Sequence, residues 1–149
     1  MISEIEQQTL DIDWFFTDGI GIGFVASGGG KLPKSISTSD AINIKLSIFF
    51  RNLPNKCLPL INLGLSKYIE KDNLDMYLSD FKFMSEKGLY VFDKTILNSF
   101  EDLNYHLVAK PSNPLLYESL PFEIKEFLIN TNFKNNLSKT LNIKIDEFN

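Results

Sequence analysis

Six of the chain's eight glycines fall between Ile12 and Pro33, in the stretch IDWFFTDGIGIGFVASGGGKLP. That stretch constrains the fold more than any other, because it is either a phosphate-binding loop that opens a helix or a hairpin with a flexible exit. Ile12, Trp14 and Phe16 alternate with Asp11, Asp13 and Phe15, the period of a half-buried strand. Asp18-Gly19 is a hairpin dipeptide, since both central positions of a tight two-residue turn want positive φ. Ile20, Ile22 and Phe24 then share one face, and Gly21 and Gly23 leave the other bare for a backbone or a large aromatic to approach. Ser27-Gly28-Gly29-Gly30 is too flexible to continue the strand, and Pro33 ends the element.

The nucleotide-binding alternatives fail on spacing. Gly21 to Ala26 formally matches GxGxxA, but that motif needs a helix opening within it to hold a pyrophosphate, and here Ser-Gly-Gly-Gly follows. A P-loop would need glycine at Val25 and Ser or Thr at Leu32, flanking Gly30-Lys31. The backbone of residues 27–31 could still cradle an anion through its amides. The hairpin with a flexible exit is the preferred reading.

Downstream, Ile42, Leu46, Phe49, Phe50 and Leu53 recur at helical spacing after the capping candidates Ser37 to Asp40. Residues 55–65 read as a connection. Leu74, Tyr77, Leu78, Phe81 and Met84 form a second helical stripe, with Asp72 as its cap and Gly88 as its terminator. Leu89–Asp93 and Tyr105–Lys110 read as strands, a helix follows Pro121, and Leu141, Ile143 and Ile145 alternate in a last strand. The order β-β-α-α-β-β-α-β predicts a single α+β domain over residues 1–149. An antiparallel or mixed sheet, built from the N-terminal hairpin and the C-terminal strands, packs with about three helices.

The 149 residues carry a net charge of −4, one arginine (Arg51), one cysteine (Cys57) and one histidine (His106). A nucleic-acid reader needs a basic face and leans on arginine, so nucleic acid is not expected as a partner. A lone cysteine makes no internal disulfide and fits a reducing compartment, and the acidic N-terminus lacks the pattern of a signal peptide. The apolar runs are too short to span a bilayer, so a cytoplasmic protein without a membrane partner is expected. No cofactor is implied. One histidine makes no multi-histidine metal site. A Cys57–His106 dyad lacks the flanking groups that would activate the thiol. Asp11 and Asp13 should share a strand face, roughly 6–7 Å apart, a spacing able to hold a cation or to do acid–base work. A solvated outer face is the simpler account. Residues 1–18 hold five acids and no base, beside aromatics, which suits docking to a basic partner. The candidate contacts are Asp11, Asp13, Asp18 and Phe15, with Glu70 and Asp72 further along.

Three segments together, DWFFTDGIGIGFVASGGGKLP at Asp13–Pro33, GLYVFD at Gly88–Asp93 and YHLVAKPSNPL at Tyr105–Leu115, resemble small bacterial immunity proteins of polymorphic-toxin and contact-dependent inhibition systems. The resemblance implies a non-enzymatic protein that neutralises a cognate toxin domain, often a basic nuclease, by direct binding; a monomer or weak homodimer is expected. It carries no functional residue to transfer. Two other classes compete with it: a small enzyme or ligand-binding domain using residues 27–31 with Asp13, Asp18, Ser27 and Lys31, and a structural adaptor with a self-complementary apolar patch.

Overall fold

The computed structural model describes residues 1–69 and 74–148. Along the chain lie α1 (Glu4–Thr9), β1 (Asp13–Thr17), β2 (Ile22–Ala26), α2 (Lys34–Ser37), α3 (Asp40–Arg51), β3 (Pro59–Ile61), α4 (Leu74–Ser85), β4 (Tyr90–Lys94), β5 (Asn104–Pro111), α5 (Phe122–Leu128) and β6 (Asn142–Lys144). The sheet runs β1-β2-β4-β5-β3 and curls into a half-barrel. β3 and β6 share the outer edge of β5. All pairings are antiparallel except β2 with β4, so the fold is α+β with a mixed sheet.

Apolar layers cover both faces of the sheet. On one face Phe15, Ile22, Phe24 and Val91 pack against Leu46 and Phe50 of α3, Leu78, Phe81 and Met84 of α4, and Ile124 and Leu128 of α5. On the other, Trp14, Phe16, Val25, Phe92 and Tyr105 meet Ile2, Leu32, Ile36 and the C-terminal residues Phe133, Leu137, Ile143 and Ile145. The second layer explains why β1 is buried on both sides, where its alternation with acids suggested a half-buried strand. Phe15 is fully buried and stacks on Phe50 with ring centroids 4.8 Å apart. It is a core residue and offers no surface to a partner.

The hairpin differs in detail from the two-residue turn expected. The loop runs from Asp18 to Gly21, and Gly19 alone takes positive φ, at 89°. Asp18 closes the loop through its carboxylate, and Ile20 stands out in solvent. The bare strand face is used as its sequence suggests. A Cβ on Gly23 would lie 2.2 Å from the Phe16 ring, so the phenyl group lies flat across the glycine of the paired strand.

Three elements went unread in the sequence: α1, α2 and β3. The first had a signal. Ser3-Glu4-Ile5-Glu6 is an S-x-x-E capping box, with Ser3 Oγ accepting from the Glu6 amide and the Glu6 carboxylate accepting from the Ser3 amide. Of the helices expected, α3 and α4 begin and end within two residues of their sequence boundaries, and Gly88 follows α4 at φ 98°.

Candidate functional site

The N-terminal acids do not form one solvated face. Asp13 at the start of β1 receives Arg51 from α3, with Nη2 at 2.6 Å and Nε at 2.9 Å, and the other side of the same guanidinium engages Asp80 of α4. Partial burial pushes the Asp13 carboxyl above its usual range, and the Arg51 bonds oppose that shift. The sole arginine thus ties β1, α3 and α4 together. Asp18 accepts from the amides of Ile20 and Gly21 through Oδ1 and of Leu137 through Oδ2, all within 2.9 Å. Asp13 through Oδ2 and Asp18 through both oxygens are engaged in these internal bonds. Asp11 lies two residues before the start of β1. It is exposed, and its Oδ1 accepts from the Gly28 amide at 2.9 Å. Glu70 and Asp72 lie outside the described residues.

The glycine-rich exit folds as a tight turn. Gly28 and Gly29 both take positive φ, and the Gly30 amide donates to the Ser27 carbonyl at 2.8 Å. The amides of Ser27 and Gly28 are also taken, by the Ile12 carbonyl and by Asp11. The turn packs on buried groups: a Cβ on Gly30 would come within 2.8 Å of Tyr105 Oη and of the Lys94 stem. Lys94 is itself buried and gives its charge to Asp102 at 2.9 Å. Three of the five amides in residues 27–31 are therefore spent internally. That leaves little of the converging array of donors an anion cradle needs.

A second polar cluster forms around His106. Tyr77 of α4 donates to Asp93 Oδ2 at 2.6 Å, His106 Nε2 lies 3.5 Å from the Tyr77 hydroxyl, and Thr95 Oγ1 lies 3.2 Å from His106 Nδ1. The Tyr68 ring stacks on the imidazole at 4.1 Å, tilted by 9°. One directed chain satisfies every group: Thr95 O–H to Nδ1, Nε2–H to Tyr77, Tyr77 O–H to Asp93. Burial sets the charges. It raises Asp93 to about 6, against stabilising bonds from Tyr77 and the Lys94 amide, and lowers His106 to about 4. His106 is 1% exposed and Asp93 7%, so the chain of donors ends inside the protein. The partners of His106 come from α4, from the residue after β4 and from Tyr68, and could not be inferred from spacing. Cys57 donates to the carbonyl of Ser85 and is not among the partners of His106.

Compared with models of protein families, with curated proteins and with solved structures, the chain matches none of them. Among the described residues, no helix is long and apolar enough to cross a membrane.

Proposed function

We propose that this chain is a non-enzymatic binding module of the immunity type, which neutralises a cognate bacterial toxin domain in the cytoplasm by direct one-to-one contact. The carrying observation is the apolar surface along β3 at the open end of the sheet. Leu58, Leu60 and Leu63 are 74%, 55% and 100% exposed. Singly exposed leucines are ordinary, but three within six residues on an edge segment are apolar surface that a partner would remove from water. Pro59 lacks an amide donor at this edge and so works against indiscriminate strand pairing, which fits a surface reserved for side-chain recognition. The polar groups favour the same reading over an enzyme, because Asp13, Asp18, Asp93 and His106 each make bonds that hold the fold together.

The test is co-expression. The C-terminal domain of the product encoded immediately upstream is expressed in bacteria with and without this chain, and the purified pair is titrated by calorimetry. Relief of toxicity with nanomolar one-to-one binding is the expected result. Toxicity without relief, and no heat of binding, would count against the immunity reading for that neighbour.

A further inference from the structure

Where α1 ends, its last carbonyls have no capping partner of positive charge, since its final turn contains no basic residue. The chain then passes Leu10 and Asp11 and lies against the Ser27–Gly30 turn and the tip of the β4–β5 connection. These segments enclose a groove of about 210 Å³ lined by Leu10, Asp11, Gly28, Gly29, Leu97 and Asn98. That is below the roughly 300 Å³ at which small-molecule pockets begin, and it suits one inserted side chain better than a free ligand.

The groove's chemistry is one-sided. The space a side chain would fill at Gly29 has the Gln8 carbonyl at 3.0 Å and Asn98 Oδ1 at 3.5 Å. Asp11 adds a carboxylate whose Oδ1 serves Gly28 and whose Oδ2 takes no hydrogen bond among the described residues. Leu10 and Leu97 are both exposed and form apolar walls. The nearby cation, Lys94, is buried and neutralised by Asp102. Acceptors at the floor, apolar walls beside them and one carboxylate match an amphipathic cation: a charged head on a methylene stem.

We propose that this groove receives a single arginine or lysine side chain from a basic protein partner, its head on Asp11 and the Gln8 carbonyl and its stem between Leu10 and Leu97. The inference rests on the binding-module reading for its biological sense, though the groove's selectivity is measurable without any toxin. Full-length ¹⁵N-labelled protein is titrated with acetyl-Ala-Arg-Ala-amide and with the same peptide carrying neutral citrulline, following the amides of Gly28, Gly29 and Asn98. Asp11→Asn keeps the acceptor for the Gly28 amide and removes the charge. The expected result is saturable shifts at those three amides with the arginine peptide, none with the citrulline peptide, and affinity weakened about five- to tenfold in Asp11→Asn. Equal shifts with citrulline, or unchanged affinity in Asp11→Asn, would overturn the proposal. So would the same shifts produced by calcium chloride with no response to the arginine peptide, which would make the groove a metal site. If the peptide fails here while co-expression still relieves toxicity, the groove is refuted and the immunity reading stands. The converse pair of results refutes the immunity reading and leaves the groove.

Discussion

Replacing His106 by Gln and replacing Asp93 by Asn should drive the stability of this protein in opposite directions as the solution is acidified. Folding moves Asp93 up from 3.8 to about 6 and His106 down from 6.5 to about 4. Between about pH 4 and pH 6 the folded protein therefore holds a proton on Asp93, whereas the unfolded chain holds one on His106. Both states bind the same number of protons at this pair, so the pair adds almost no slope to stability against pH. Each half alone has a steep slope. Asp93, with its raised folded pKa, contributes stability that is complete below 3.8 and lost as pH rises through 6. His106, with its lowered folded pKa, contributes stability that is complete above 6.5 and lost as pH falls towards 4. At about 1.4 kcal/mol per pKa unit, each half is worth about 3 kcal/mol over its whole range. From about pH 6.5 to about pH 4.5, His106→Gln should gain about 2 kcal/mol relative to the parent, and Asp93→Asn should lose about 2 kcal/mol. Urea unfolding followed by the fluorescence of Trp14, the only tryptophan, measures this at a series of pH values. Taking each variant against the parent removes the other carboxylates from the comparison. Differences that stay flat, or that share a sign, would refute the assignment of the proton to Asp93 in the folded state.

Other perturbations follow from single contacts. Gly23→Ala would drive a methyl group into the Phe16 ring and should cost about 1–3 kcal/mol by urea denaturation, despite the smallness of the change. Arg51→Lys should destabilise nearly as much as Arg51→Ala, because only a planar fork reaches Asp13 and Asp80 together; loss of only a few tenths of a kcal/mol in the lysine variant by the same assay would contradict this. Asp18→Ala strips three amides of their acceptor and should cost about 2 kcal/mol, with hydrogen exchange at Leu137 accelerated. Leu63→Lys should leave the unfolding midpoint unchanged and weaken binding of a toxin partner in calorimetry, if the β3 edge is the contact surface.

The sequence carried the elements better than their surroundings. Alternation in DIDWFF revealed β1, and helical stripes revealed α3 and α4, because those periods are local. That alternation gave no notice of the second apolar layer, since Phe133, Ile143 and Ile145 arrive from the far end of the chain. Phe15 was therefore read as a surface aromatic when it is part of the core. Acids near the hairpin were legible as a cluster and illegible as bonds: Arg51 lies 38 residues from Asp13, and Leu137 lies 119 from Asp18. Glycine content announced the turn at Ser27–Gly30 but not its packing on Tyr105 and Lys94. Among the candidate contacts that are described, Asp11 lies at a surface groove with a carboxylate oxygen that takes no hydrogen bond.

The bond from Leu137 to Asp18 also sets a clock. Thr17, at the end of the first strand, exchanges backbone hydrogen bonds with Thr131 and Phe133, and Phe148 stacks edge-on against Trp14 and Phe16. During synthesis the first strand emerges long before any of these partners exists. The N-terminal hairpin must wait, with its Trp14- and Phe16-bearing face open, until residues 131–148 are made. Closure of this non-local layer is thus a late event, and the long separation of its partners makes it the slow one. A chain cut before residue 131 would expose that aromatic face and should be more open to proteolysis.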